Sequence, residues 1–260
     1  MNTWVDPRQA GYHFDESPRR VRTMLGSEVI ADSSAMRLLY PPGGRPAAYY
    51  FPESDVRMQL LTPSRHAADH ADLGQATYWD VSADGKRAEH AARAYRTPPE
   101  ALSALAGFIT FDWNAMSAWF EEDEEIYVHP RDPYHRVDIR ESSRHVRVEI
   151  DGQTVADTRR PRVLFETNHP VRYYIPRFDV RQDLLSATEK RTGCAYKGFC
   201  SYWSVRTEGG THEDVAWTYA FPFAECAKIA NYVCFFNERV DTYVDGVLLA
   251  RPEERGPRPM

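Results

Sequence analysis

Long apolar runs are missing from this chain. The longest, such as Tyr232-Val-Cys-Phe-Phe236, fall far short of the roughly 18 residues that a membrane-spanning helix needs. The start, Met1-Asn-Thr-Trp4, lacks the basic-then-apolar order of a secretion signal, and a cytoplasmic location is the expectation. Positive charge is not in excess either: 32 Lys and Arg stand against 38 Asp and Glu, a net charge of −6. Nothing gathers a phosphate backbone, so neither nucleic acid nor a membrane is expected as a partner. Cysteine is scarce. Cys194, Cys200, Cys226 and Cys234 all fall in the last third, with no C-x-x-C pair and no histidine at ligand spacing, which argues against structural zinc. Without a secretion signal the thiols should be free. A phosphate-binding glycine loop and paired metal-binding carboxylates are also absent from the pattern, so no cofactor and no metal are expected.

What is present is a repeat. At 260 residues with 42% hydrophobic content, the chain has room for one large domain or two small ones. Tyr49-Tyr-Phe-Pro-Glu-Ser-Asp-Val-Arg-Met-Gln-Leu-Leu61 returns as Tyr173-Tyr-Ile-Pro-Arg-Phe-Asp-Val-Arg-Gln-Asp-Leu-Leu185, an offset of 124. The same offset carries Gly74, Tyr78, Trp79, Val81, Tyr95, Pro98 and Phe111 onto Gly198, Tyr202, Trp203, Val205, Tyr219, Pro222 and Phe235. One offset held over so many segments means a tandem duplication.

Each copy reads mainly as strand. Val146, Val148 and Ile150 alternate with polar residues up to Asp151-Gly152, a hairpin signal. Glu208-Gly-Gly210 and Ser82-Ala-Asp-Gly85 play the same part elsewhere. Asp55 and Asp179 look like N-caps of short helical turns carrying the Leu-Leu pairs, Leu60-Leu61 and Leu184-Leu185. The resulting division is a first repeat at 17–122, an ordered connector rich in Pro, His and Arg at 123–142, a second repeat at 143–248 and a disordered tail at 249–260.

Tyr173-Tyr-Ile-Pro176, Asp179-Val180, Cys194-Ala-Tyr-Lys-Gly198, Tyr202-Trp203 and Trp217-Thr-Tyr-Ala-Phe-Pro222 resemble the DUF427 family. His129-Pro-Arg-Asp-Pro-Tyr-His-Arg-Val-Asp138 and Ser142-Ser-Arg-His-Val-Arg-Val148 resemble its two-copy actinobacterial members. The resemblance implies a mainly β fold of Mss4-like or β-tent kind without zinc, and it brings a nucleotidyltransferase-like label. Ala195 replaces the proline of the family's Cys-Pro-Tyr-Lys-Gly pattern.

The candidate chemistry lies in the second copy. Cys194 and Lys197, three apart on a turn into a strand, would let an ammonium lower a thiol pKa, giving a nucleophile or an acid/base pair. The plain alternative is an exposed lysine beside a space-filling cysteine. Glu166 follows Val163-Leu-Phe165, so a strand would carry it inward as a base with a raised pKa, or into a salt bridge with Arg172 or Arg181. Tyr196 joins this set. Tyr173, Trp217 and Arg172 are candidate ligand-binding residues, and Arg131 and His135 of the connector would reach the mouth of the pocket. In the first copy His70, Asp72 and Leu73 match Cys194, Tyr196 and Lys197, and Tyr40 is matched with Glu166, so the polar set is lost there.

These readings favour an enzyme without metal that acts on a small organic metabolite by acid/base or nucleophilic catalysis, as a cyclase, lyase or isomerase. A non-catalytic small-molecule-binding or interaction protein is the alternative, and nucleotidyltransferase-like activity is a third. The chain would act as a monomer or homodimer.

Overall fold

The computed structural model of the chain describes residues 11–253, and the described chain divides into two compact units, one reaching Asp132 and one beginning at Pro133. The first unit holds β1 (His13–Glu16), β2 (Val21–Leu25), β3 (Glu28–Ser33), β4 (Arg37–Tyr40), β5 (Ala48–Pro52), β6 (Leu61–His70), β7 (Gly74–Ala83), β8 (Lys86–Tyr95), β9 (Phe108–Phe111), β10 (Ala118–Glu121) and β11 (Glu124–Ile126). They form a seven-stranded sheet in the order β1-β4-β5-β9-β8-β7-β6 and a four-stranded sheet, β11-β10-β2-β3.

The second unit holds β12 (Val137–Glu141), β13 (Val146–Ile150), β14 (Gln153–Thr158), β15 (Arg162–Glu166), β16 (Arg172–Ile175), β17 (Leu185–Cys194), β18 (Gly198–Thr207), β19 (Gly210–Thr218), β20 (Val233–Phe235), β21 (Asp241–Val244) and β22 (Val247–Leu248). Its sheets run β12-β15-β16-β20-β19-β18-β17 and β14-β13-β21-β22. Strand for strand the two orders agree, so the fold is mainly β and duplicated. The helical segments among the described residues are 3₁₀ turns.

Alternation along each strand gives the long sheet two buried faces. In the second repeat Ile175, Val205, Ala216 and Phe235 pack with Val146, Val148, Val155 and Val244 of the small sheet. Their strand neighbours Tyr174, Trp217 and Cys234 turn to the other face, with Leu164, Tyr202 and Tyr219. That face is covered by the turn Ala224–Ile229, through Cys226 and Ile229. The first repeat does the same with Leu105 of Glu100–Leu105.

The hairpin signals correspond to tight turns. Ile150 pairs with Gln153 and Ala83 with Lys86, and Asp151, Gly152, Asp84 and Gly85 all have positive φ, the conformation for which Asp-Gly turns are selected. Hairpin tips are tied together within each repeat. In the first, Ser27 donates from its backbone N and its hydroxyl to Asp84, both at 3.0 Å. In the second, Thr207 donates to Asp151 at 2.6 Å and His212 Nε2 lies 2.6 Å from the same oxygen. The acceptor sits on opposite hairpins in the two repeats.

The 3₁₀ turns that lead into the Leu-Leu pairs, Met58–Leu60 and Gln182–Leu184, have Arg57 and Arg181 at the N-cap, while Asp55 and Asp179 end the turns before them. Their carboxylates instead accept hydrogen bonds from the preceding chain, Asp55 from Ser33 Oγ and Asp179 from Thr158 Oγ1, both at 2.6 Å. The strands also extend both repeats past the expected limits. β1 begins at His13, and the connector supplies β11 to the first repeat and β12 to the second. Order continues beyond 248, since Leu249 packs on the second core and Arg251 pairs with Asp241 at 2.7 Å. Residues 254–260 of the expected tail lie outside the described residues.

Arg160 also donates to Asp179, and that bond, with the one from Thr158, outweighs burial and holds the carboxyl below its ordinary range. Its contribution is therefore present above the unfolded-state value, near pH 4, and is lost as pH falls through the lower folded value. Asp179→Asn should cost about 1 kcal/mol at neutral pH in denaturant unfolding, with the deficit shrinking toward acid; an unchanged midpoint would refute the tie.

Candidate functional site

Glu166 is the last residue of β15, two positions beyond Leu164 and on the same face of the long sheet, opposite Val137 of β12. Lys197 reaches it from the turn between β17 and β18, where Cys194 is paired with Gly198. Gly198 has φ +95, a conformation that L side chains rarely adopt, and the Lys197 carbonyl accepts a bond from Phe223 N at 3.2 Å. This turn aims the lysine inward. Glu166 is 5% exposed and Lys197 8%, and Lys197 Nζ donates to both carboxylate oxygens at 2.5 Å.

The electrostatics follow from that contact. Burial alone would raise the Glu166 carboxyl, but the Lys197 charge, the His135 hydrogen bond and the His169 charge prevail and hold it well below the usual carboxylate range. Burial would likewise lower the Lys197 ammonium, and the Glu166 charge, with Cys194 and Cys226 nearby, raises it above the ordinary lysine range. Glu166 is thus a fixed anion, not the raised-pKa base expected from its strand position. Arg172 and Arg181, its expected partners, pair elsewhere, with Glu238 and Asp183.

His135 completes the cluster. Its Nε2 lies 3.1 Å from Glu166 Oε1, and because an ionised carboxylate only accepts, Nε2 carries the hydrogen. In the neutral ring the lone pair then resides on Nδ1. The ring stacks on Tyr196 at 4.0 Å and 18°. His169, which the sequence reading missed, meets the His135 ring edge-on at 6.0 Å. Its backbone N donates to the Glu166 carbonyl at 3.1 Å, and Asn168, with φ +61, makes the turn that returns it. The Thr-Asn-His-Pro stretch at 167–170 was the available signal.

Donor atoms of His135, Glu166 and His169 lie within 4.8 Å of one another, a grouping able to hold a metal ion. Lys197, however, already occupies both Glu166 oxygens. A dication at Glu166 would have to displace the ammonium.

Of the residues singled out from sequence, Glu166, Tyr196, Lys197 and His135 meet, with half-buried Cys194 beside them. The others stand apart. Tyr173 packs into the core between the sheets, because it neighbours Tyr174 on the strand and faces the opposite way. Trp217 is buried, donating from Nε1 to Tyr174 OH at 3.2 Å under the Arg172 guanidinium, which lies 5.4 Å from the indole. Arg172 is held by Glu238 at 2.6 Å and by Asn237. Arg131 belongs to the first repeat, where its backbone N donates to Tyr49 OH at 3.3 Å.

The first repeat lacks the pair. Leu73 precedes Gly74 as Lys197 precedes Gly198. The register sets Tyr40 against Phe165 and Pro41 against Glu166, one residue away from the match read in the sequence. A one-residue slip changes face, and Tyr40 accordingly lies in the core between the sheets.

Two outcomes test this geometry. Lys197→Met, leaving Glu166 charged and buried, should cost about 3–5 kcal/mol in unfolding experiments, and adding Glu166→Gln should restore most of it. Because Glu166 is lowered and Lys197 raised, the wild-type contribution should be complete between about pH 5 and pH 10, eroding on the acid side through Glu166 and on the alkaline side through Lys197. Separately, iodoacetamide near neutral pH should modify Cys194 first, since Cys200, Cys226 and Cys234 are buried and burial pushes Cys226 to about 11 and Cys234 to about 12. Mass spectrometry showing even labelling of all four would contradict it.

The family described as "Domain of unknown function (DUF427)" matches residues 13–122 and again residues 138–246. No curated protein matches the chain.

Proposed function

The chain belongs to the DUF427 family in two tandem copies, and on that footing we propose that its second repeat is an acid–base enzyme acting on a small organic metabolite without a metal, as a cyclase, lyase or isomerase. The observation that carries the reading is the Glu166 to His135 contact at 3.1 Å. A carboxylate that holds one imidazole nitrogen as a donor leaves the other to take a proton, and it stabilises the imidazolium that forms. His135 is then the base and subsequent acid, at Nδ1. Glu166 and Lys197 are positioning residues, fixing the ring's tautomer and the charge behind it. Tyr196 holds the ring plane by stacking.

The shape of the reaction follows from these parts. A neutral imidazole removes a proton from an activated carbon or hydroxyl; returning it elsewhere on the same molecule is the balance of an isomerisation or a cyclisation, and passing it to a departing leaving group as the C–X bond breaks is that of an elimination. Cys194 is the neighbouring group that could add to an electrophilic carbon.

Solvent exchange supplies the test. Incubating the protein with a panel of small keto acids, lactones and enols in D₂O should reveal, by mass spectrometry, a compound whose deuterium uptake the protein accelerates. His135→Asn should reduce that rate by about 10²–10⁴-fold, and Glu166→Gln should reduce it while leaving the compound bound. Full exchange activity in His135→Asn would exclude His135 as the base; binding without exchange in any variant would favour a ligand-binding protein.

A further inference from the structure

In the first repeat, the face that corresponds to the Glu166 site carries charge of a different kind. Tyr50, Thr110, Arg93 and Tyr78 stand opposite one another on β5, β9, β8 and β7, making one row across one face of the sheet. In the second repeat the same row reads Tyr174, Cys234, Trp217 and Tyr202. Arg93 thus stands where Trp217 does. Ala48 stands where Arg172 does, since Leu39 faces Ala48 as Leu164 faces Arg172.

The two repeats treat their buried cations differently. The second matches Lys197 with Glu166 and Arg172 with Glu238. The first has Pro41 in register with Glu166, and the offset of 124 puts Asn114 at Glu238. Both acids and both of those cations are gone, and Arg93 is a cation at a new position. Among the described residues Arg93 Nε has no hydrogen-bond partner, and neither has Thr110 Oγ1 in the adjacent strand, although Thr110 is only 1% exposed. Burial would lower the Arg93 guanidinium, and the hydroxyls of Tyr50, Tyr95 and Tyr78, with a hydrogen bond to Tyr95, raise it instead; among the described residues no carboxylate is one of these influences. Leu39, Leu73 and Leu105 complete the face.

A guanidinium withdrawn from water without a counter-charge is costly, and so is each polar atom left unpaired beside it. Both unpartnered atoms can donate. Arginine's planar fork matches a carboxylate, whose two oxygens only accept. The flanking tyrosine rings offer flat apolar walls with hydroxyls at their tips.

We propose that the first repeat binds a small planar organic carboxylate at Arg93, with one carboxylate oxygen on the Arg93 N–H and the other on the Thr110 hydroxyl, and the organic body lying among Tyr50, Tyr78 and Tyr95. The ligand supplies the acid that the second repeat carries in its own chain. This site is separate from the His135 chemistry and does not depend on it.

Benzoate is the probe, titrated into the full chain by calorimetry and by ¹⁵N NMR of arginine Nε. Saturable binding with a shifted Arg93 Nε resonance is expected, weakened at least about tenfold by Arg93→Met and about three- to tenfold by Thr110→Val. Glu166→Gln should leave the affinity unchanged, separating this site from the second repeat. Absence of saturable binding, an unmoved Arg93 resonance, or equal affinity in Thr110→Val would overturn the proposal. Phosphate bound as tightly as benzoate would overturn the carboxylate assignment. If Arg93→Met does not fold, Thr110→Val and the Nε resonance decide the matter.

Discussion

The period of two along a β-strand is the constraint on which each repeat rests. It lets one seven-stranded sheet serve two interiors. One face makes an aliphatic core with the four-stranded sheet, and the other makes a chamber of tyrosine, tryptophan and cysteine beneath a 3₁₀ turn. The first interior is nearly the same in kind in both copies, with Val21, Ile30 and Val81 in one and Val146, Val155 and Val205 in the other. The second interior is where they diverge. Because the faces are separated by the sheet, residues on one can change from ion pair to hydrocarbon without disturbing the packing on the other.

Much of this was legible in the sequence, and the failures share a cause. The offset of 124 identified equivalent strands, and the Asp-Gly turns placed their hairpins. What the pattern did not resolve was face. Tyr173 and Tyr174 are adjacent aromatics of the same type, and nothing local says which one enters the chamber. Tyr40 was matched to Glu166 across a loop of different length, and an error of one residue exchanges inside for inside of another core. The partner of Glu166 lies 31 residues away, across a turn whose direction depends on Gly198. Spacing suggested instead the nearer arginines, each of which has a carboxylate of its own.

Charge inside the second repeat's chamber is arranged as closed sets. Glu166, Lys197 and His135 form one in the second repeat, and Arg172 with Glu238 forms another a short distance along the same sheet. Such sets hold geometry at the expense of reactivity, because an anion and a cation that neutralise each other are poor proton carriers.

The ties between hairpin tips bear on how a chain with two copies of one topology avoids exchanging parts. Tandem domains of matching strand order are prone to intertwined assembly, in which a hairpin of one completes the sheet of the other. Here the accepting aspartate is on the β7–β8 hairpin in the first repeat and on the β13–β14 hairpin in the second. An exchanged pair that brought the β13–β14 tip to the β7–β8 tip would set Asp151 against Asp84, two carboxylates with no hydroxyl between them. The reversal of donor and acceptor would penalise such an exchange by setting like charges together at those turns.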